Sequence, residues 1–111
     1  MTQRQIIGIS PHPFTQEQPM YVTVRRYRNA EGLMEAMRAK SDEVEDVISS
    51  IPGFVSYFAT RDGDSMTSIS VFEDKAGCDE STRQAAQWVR NNVQSMPGAP
   101  EISEGEVLLS F

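Results

Sequence analysis

The chain of 111 residues has one cysteine, Cys78, one histidine, His12, and no long apolar run. A single cysteine excludes an intrachain disulfide, which is typical of proteins kept in a reducing compartment. The apolar runs are far shorter than the roughly 20 residues that span a membrane, and the N-terminus lacks the apolar core of a secretory signal. The sequence therefore predicts a cytoplasmic protein without a membrane partner.

Histidine and cysteine are too scarce for most familiar catalytic and metal sites. His12 lies between Pro11 and Pro13, in a segment where an exposed histidine is far more common than a catalytic one. Cys78 and the serines then lack a histidine base beside them, and Cys78 is better interpreted as a small buried residue. Because a His/Cys cluster and a glycine-rich phosphate loop are also missing, we expect no metal and no cofactor.

Positive charge is sparse as well. Ten lysines and arginines stand against 16 aspartates and glutamates, which gives a net charge of -6. The densest basic group, Arg25, Arg26 and Arg28, is not a continuous run. Phosphate binding depends on lysine and arginine, so we expect no nucleic-acid partner.

The chain divides into a short extension and one domain. Residues 1–19 contain three prolines and no sustained hydrophobic period, which predicts an N-terminal extension that is flexible or adds a short strand at residues 6–9. Residues 20–111 are enough to form one globular domain.

Alternating and helical periods give the order β-α-β-β-α-β within this domain. Strands are predicted at residues 21–27, 54–60, 66–72 and 102–111, and helices over residues 30–50 and 78–93. Asn29 and Asp74 are the predicted N-caps of the two helices. Asp62-Gly63 predicts a hairpin turn, which we favour over a calcium loop because no ligating glutamate follows at the required spacing.

The second helix has an unusual inner face, because its small hydroxylated residues precede a single large ring. The residues on this face are Cys78, Ser81, Thr82, Ala85, Trp88, Val89, Asn92 and Val93. Close packing on a sheet is the simpler interpretation, and a ligand cleft walled by Trp88 is the functional one.

Lys40 interrupts the apolar stripe of the first helix between Met37 and Val44. Its ammonium group is expected to reach solvent past an apolar stem. The alternative is that it points into a pocket and meets an anionic group of a substrate.

Three segments resemble the dimeric α/β-barrel family that includes the antibiotic biosynthesis monooxygenases. They are Ile-Pro-Gly-Phe-Val-Ser-Tyr at 51–57, Ser-Val-Phe-Glu-Asp-Lys-Ala-Gly at 70–77 and Ala-Ala-Gln-Trp-Val-Arg at 85–90. With the first and last strands, the likeness covers residues 20–111. It agrees with the ferredoxin-like α+β fold that the element order predicts, a four-stranded antiparallel sheet with both helices on one face.

The second face of this sheet also has to be covered. Each strand offers apolar residues in both directions, whereas a sheet with one solvated face alternates more cleanly. We therefore expect a homodimer through the sheet faces, and the resemblance implies the same dimeric barrel.

The resemblance implies two chemistries. Haem-degrading members bind iron through a histidine of the second helix, with an asparagine on the first strand, and this chain has neither. The cofactor-free oxygenases of the family act on electron-rich polycyclic phenols, which implies a cofactor-independent monooxygenase acting on an aromatic or quinone-like substrate.

In this hypothesis Trp88 stacks on the substrate, Tyr57 and Asn92 bond to a phenolic oxygen, and Lys40 or Arg83 stabilises an enolate. It predicts a cavity of roughly 300 Å3 or more around Trp88. Two alternatives remain open at this point. One is a non-catalytic ligand-binding or stress-associated barrel of the same fold, and the other is an assembly role in which residues 1–19 bind a neighbouring subunit.

Overall fold

The computed structural model describes residues 19–95 and 97–111, so the predicted extension, with His12 and the added strand, lies outside the described residues apart from Pro19. The elements in chain order are β1 (Tyr21–Tyr27), α1 (Glu31–Ala39), α2 (Ser41–Ser49), β2 (Phe54–Asp62), β3 (Ser65–Phe72), α3 (Lys75–Asn92) and β4 (Glu101–Glu106). The four strands form one antiparallel sheet in the order β2-β3-β1-β4. The predicted ferredoxin-like α+β fold is confirmed. Within the same residues, no helix is long and apolar enough to cross a membrane.

The predicted turn between β2 and β3 and the predicted cap of α3 are both confirmed. Gly63 adopts a φ of 64° in the turn, a conformation that glycine adopts without strain. The Asp74 carboxylate accepts a hydrogen bond from the Gly77 N–H at 3.0 Å. The cap predicted at Asn29 is wrong, because the helix begins one residue later. Asn29 has a φ of 52°, and Ala30 takes the cap position without a side-chain bond.

The prediction of a single helix over residues 30–50 is wrong, because the segment forms two helices of nine residues each. Lys40 leaves the helical conformation with φ −120° and ψ 37°. The next residues, Ser41, Asp42 and Glu43, favour a new helix start because carboxylates in a first turn are stabilised by the helix dipole. The apolar stripe still runs along both helices and packs on the core.

The last strand is shorter than the predicted 102–111. The Val107 N–H bonds to the Met20 carbonyl at 2.7 Å, and the sheet ends there because β1 begins at Tyr21. Leu108 and Leu109 are then 90% and 72% exposed, and Phe111 is fully exposed.

At its centre, the sheet has polar side chains on the face that the helices cover and apolar side chains on the open face, the reverse of the usual arrangement. Directly paired residues lie on the same face, so Val24, Ile69 and Phe58 share the face away from the helices. Phe58 is 58% exposed there. Arg25 and Ser68 pair on the helix-facing side, where both are buried. At the centre of the sheet, polar side chains therefore occupy the covered face and aliphatic ones the open face, whereas Tyr27, Met66 and Phe72 keep the ends of the covered face apolar.

Two apolar clusters lie between the sheet and the helices. One contains Met66 with Leu33 and Trp88, and the other contains Phe72 with residues of α2 and α3. Along β3, Ser68 and Ser70 lie between Met66 and Phe72 on the covered face. The core is thus interrupted by a polar region at the centre of the sheet.

Candidate functional site

Arg25 is the centre of this polar region. It projects from the middle of β1 and is only 1% exposed. Its guanidinium group extends over β3, because the serines at positions 68 and 70 leave space that larger side chains would fill. It therefore lies between the sheet and α3.

Four hydroxyl groups accept hydrogen bonds from Arg25. Its Nε donates to Ser68 Oγ at 3.2 Å and its Nη2 donates to Ser70 Oγ at 2.7 Å. Its Nη1 donates to Thr82 Oγ1 at 2.8 Å and to Ser81 Oγ at 3.3 Å. The hydroxylated face of α3 is therefore neither an empty cleft nor simple close packing, since it solvates a buried cation.

No carboxylate of the described residues contributes to this arrangement. Within residues 19–95 and 97–111, the acidic side chains that pair with a cation do so with Arg28, Lys75 and Arg83. Removing a charge from water costs several kcal/mol even after relaxation. Among the described residues, neutral hydroxyls accept from four of the five N–H groups of Arg25 but leave its charge uncompensated.

The titratable groups around Arg25 do not supply a negative charge at neutral pH. Burial raises the pKa of Tyr27 and of Tyr57 above the ordinary tyrosine value, although the charge of Arg25 acts in the opposite direction on both. Burial likewise raises the pKa of the Cys78 thiol, whose Sγ donates to the Tyr21 carbonyl at 3.4 Å. All three groups are therefore neutral.

A small cavity adjoins this site. It measures about 30 Å3 and is lined by Tyr27, Tyr57, Ser68 and Trp88 together with aliphatic side chains of the three helices. This volume is close to the roughly 30 Å3 that one water molecule occupies in the liquid. The prediction of a ligand cavity of roughly 300 Å3 or more around Trp88 is therefore wrong.

A ligand-sized groove lies on the other side of Tyr57. It measures about 500 Å3 and opens between α1, α2 and β2. Its apolar wall consists of Met34, Met37, Val44, Ile48, Phe54 and Met66. Its polar groups include Tyr57 and, at the end of β2, Thr60 and Arg61. The volume and the mainly apolar surface are typical of small-molecule sites, although half of the lining residues are polar. The polar residues not yet named are Arg38, Ser41, Glu45 and Ser49.

Tyr57 connects the two spaces. It lines both of them, as do four apolar residues: Met37, Val44, Ile48 and Met66. From solvent to the centre of the protein, the order is therefore the groove, Tyr57, the small cavity, Ser68 and Arg25.

Trp88 is buried and joins α3 to α2. Its Nε1 donates to the Glu43 carboxylate at 2.8 Å, and its ring lines the small cavity. Asn92, one turn further, donates from Nδ2 to the Trp88 carbonyl at 2.9 Å and accepts from the Lys40 ammonium at 2.7 Å. These contacts connect the break between α1 and α2 to the C-terminal end of α3.

Arg83 lies on the exposed side of α3. Its Nε donates to the Glu80 carboxylate at 2.9 Å, one turn earlier on the same helix. The structure therefore brings Tyr57 and Trp88 together around the small cavity. It places Lys40, Asn92 and Arg83 outside the walls of both spaces.

Arg25 is the residue that the sequence reasoning did not select. The alternation of β1 groups it with Thr23 and Tyr27, away from Val22 and Val24. The serines of β3 and the hydroxyls of α3 were visible as well. The missing information was that the polar side of β1 faces the helices.

Comparison with known proteins shows similarity in structure only. No protein-family model matches the sequence, and no curated protein matches it significantly. A candidate antibiotic biosynthesis monooxygenase from Bordetella bronchiseptica has a TM-score of 0.64 at 16% identity, over 83% of this chain and 100% of that one.

Two further structures show the same likeness. SnoaB, a cofactor-independent oxygenase from Streptomyces nogalater, has a TM-score of 0.60 at 15% identity, over 83% of this chain and 96% of that one. A protein of unknown function from Nitrosomonas europaea has a TM-score of 0.63 at 19% identity, over 85% and 94% of the two chains. The predicted resemblance is confirmed at the level of the fold, which by itself does not assign a reaction.

Proposed function

Because the chain has the fold of antibiotic biosynthesis monooxygenase-like proteins, we propose that it binds an aromatic or quinone-like molecule in the groove between α1, α2 and β2 and oxygenates it without a cofactor. The observation that carries the proposal is the groove itself, about 500 Å3 in volume with a mainly apolar wall. A fused aromatic ring system fits such a site, because burying its faces against methionine and aliphatic side chains is favourable.

The reaction is one in which the substrate supplies the electrons. Loss of a proton from an activated methylene group gives a carbanion, which transfers electrons to dioxygen. One oxygen atom becomes the carbonyl of the product, and the other leaves as water with the two hydrogens of the methylene group. The protein then has to bind the ring, exclude water and stabilise the charge that forms on the substrate oxygen.

Tyr57 is the residue best placed to bond to that oxygen. It lies in the wall of the groove, and its phenol is neutral at pH 7 because burial raises its pKa. We assign Trp88 a supporting role, since its bond to Glu43 holds α2 against α3. Lys40, Asn92 and Arg83 then act on the ligand only through the surrounding helices.

We propose that a second copy of the chain covers the open face of the sheet. Val22, Val24, Ile69 and Val71 are half-buried on this face, and Phe58 is largely exposed. Light scattering should then give twice the 12.4 kDa mass of one chain. Phe58→Asp should give the single-chain mass with unchanged helix content, and a dimeric variant would argue for a different interface.

The test of the activity is oxygen uptake with a dihydroxyanthrone, measured above the rate without protein. One dioxygen should be consumed for each carbonyl formed. Tyr57→Phe should lower kcat/KM by about tenfold or more, the loss expected for one hydrogen bond to a charged oxygen. Tyr21→Phe is the matched control, because Tyr21 lines neither the groove nor the small cavity.

A second candidate function is binding without turnover. It is favoured by the lining of the groove, which among the described residues has no histidine and a single carboxylate, that of the exposed Glu45. Quenching of Trp88 fluorescence by the anthrone without oxygen uptake would support this function. The absence of any binding would refute both.

A further inference from the structure

Arg25 has a feature that neither folding nor ligand binding in the groove explains. It is a fully buried cation whose four hydrogen-bond acceptors are all neutral. A methionine or leucine would fill the same space between the clusters without the cost of burying a charge. Uncompensated charge next to a cavity is a common property of functional sites.

We propose that Arg25 is the positioning residue for an ionised oxygen of the ligand and acts on it through Ser68. The inference rests on the proposed function, because it requires a ligand in the groove. It adds that the ligand binds as an anion, with its oxygen placed past Tyr57 in the small cavity and its rings in the groove.

Ser68 lies between Arg25 and the cavity. Its Oγ accepts from Arg25 Nε at 3.2 Å, and the same side chain lines the cavity. Accepting this bond leaves the Ser68 hydrogen to be donated either to the Tyr57 oxygen, which lies within reach, or to an oxygen in the cavity. A hydroxyl placed between a guanidinium group and an anionic oxygen is polarised in one direction by both, which strengthens each bond.

Ser81, another acceptor of Arg25, has no hydrogen left to donate to a ligand. The Ser81 hydrogen is already used, because its Oγ donates to the Cys78 carbonyl at 2.7 Å. Its lone pairs therefore face Arg25, and it has nothing left to donate. Among the four acceptors of Arg25, Ser68 is the one that also lines the cavity, which Ser70, Ser81 and Thr82 do not.

The size of the cavity sets the geometry of binding. About 30 Å3 has room for a water-sized group such as an oxygen substituent and is too small for an aromatic ring. The groove, at about 500 Å3, takes the rings, and the two spaces share the wall formed by Tyr57 and its apolar neighbours. An ionised oxygen projecting from the ring system is the group that fits between them.

The titratable side chains that face Arg25 do not supply a negative charge at pH 7. Tyr27 on β1, Tyr57 on β2 and Cys78 on α3 are neutral at pH 7, as described above. On α2, the Glu43 carboxylate accepts from Trp88 at 2.8 Å and is exposed. The anionic oxygen of the ligand therefore supplies the missing negative charge.

The test is a spectrophotometric pH titration of a nitronaphthol bound to the protein, whose phenolate absorbs in the visible range. The bound phenol should be at least about tenfold more ionised than the free phenol at the same pH, which is a lowering of its pKa by about one unit. A bound phenol that titrates like the free one would overturn the proposal. The methyl ether of the probe, which does not ionise, should bind more weakly than the phenolate.

Two variants and a control complete the experiment. Ser68→Ala and Arg25→Met should still bind the methyl ether but lose the enhanced ionisation of the phenol. Arg83→Met, which removes an exposed arginine on α3, should retain it. If Arg25→Met does not fold, Ser68→Ala alone decides, and unchanged ionisation in that variant refutes the inference. Binding of the ether with no preference for the phenolate refutes the inference and leaves the proposed function intact, whereas failure of both probes to bind refutes the proposed function.

Discussion

Replacing Thr82 by valine removes a single hydroxyl from the arginine cluster while keeping the shape of the side chain. Thr82 Oγ1 accepts one of the shortest bonds from Arg25, at 2.8 Å. Threonine and valine are both β-branched, so the propensity of this position for helix changes little. The substitution therefore reports on the solvation of the buried cation.

The expected loss follows from the bonds that remain. A hydrogen bond to a charged group contributes roughly 1.5–3 kcal/mol, and a buried donor left without its acceptor costs a similar amount. Nη1 would keep only Ser81, whose Oγ is 3.3 Å away. We expect Thr82→Val to lower the free energy of unfolding by about 2 kcal/mol.

Thr23→Val is a matched control. Thr23 is buried on the same side of the sheet, and its Oγ1 has no hydrogen-bond partner among the described residues apart from a weak contact with the Cys78 thiol. A buried hydroxyl without a partner carries a desolvation cost of about 1–3 kcal/mol that a methyl group does not. The Thr23→Val variant should therefore be as stable as the natural chain or more stable.

Urea unfolding followed by Trp88 fluorescence measures both variants, since the chain has one tryptophan. The midpoint should fall for Thr82→Val and stay constant or rise for Thr23→Val, with the same dependence on urea in each case. Equal destabilisation of the two variants would refute the reasoning, because it would mean that the hydroxyl of Thr82 acts through packing and not through Arg25.

Two further predictions concern α3. In Gly77→Ala, the new Cβ would lie 2.5 Å from Phe72 Cδ2, and the forced shift should destabilise the protein by about 1–3 kcal/mol in the same urea assay; unchanged stability would contradict this close contact. The hydrogen bonds from Arg83 and Gln84 lower the pKa of Glu80 to about 2. An NMR titration of the Glu80 carboxylate should therefore give a midpoint far below the ordinary glutamate value, and Arg83→Met should raise that midpoint. The pair stabilises the helix above the ordinary glutamate pKa and is lost as the pH falls towards 2; since both side chains are exposed, the effect on overall stability should be small.

Local patterns were sufficient to predict most of the fold. The alternation in β1, β3 and the start of β2 and the turn at Gly63 depend on neighbouring residues, and so does the Asp74 cap. The buried residues of α3 from Cys78 onward were also predicted, because helical spacing identifies which side chains lie together, whereas the start of the helix at Lys75 and the buried Gly77 were not.

The break at Lys40 and the end of β4 depend on less local information. The apolar stripe continues through the break, so its period does not reveal that the backbone leaves the helix at one residue. The strand β4 ends where its partner β1 begins, and this limit depends on the register between two strands far apart in sequence.

The site around Arg25 could not be found from local patterns at all. Its four acceptors lie 43 to 57 residues further along the chain, on β3 and on α3. Alternation divides β1 into two faces without stating which one the helices cover. The usual assumption would place Val22 and Val24 inside, whereas these valines lie on the open face of the sheet.

The division of the groove wall into two short helices has a consequence for how a ligand reaches the interior. Helices of nine residues are marginal on their own, since roughly 12–15 residues are needed for stability in water. The amide hydrogens of α1 and α2 should therefore exchange with solvent faster than those of the 18-residue α3. Local opening of this wall would expose Tyr57 and the small cavity behind it while the sheet and α3 stay folded.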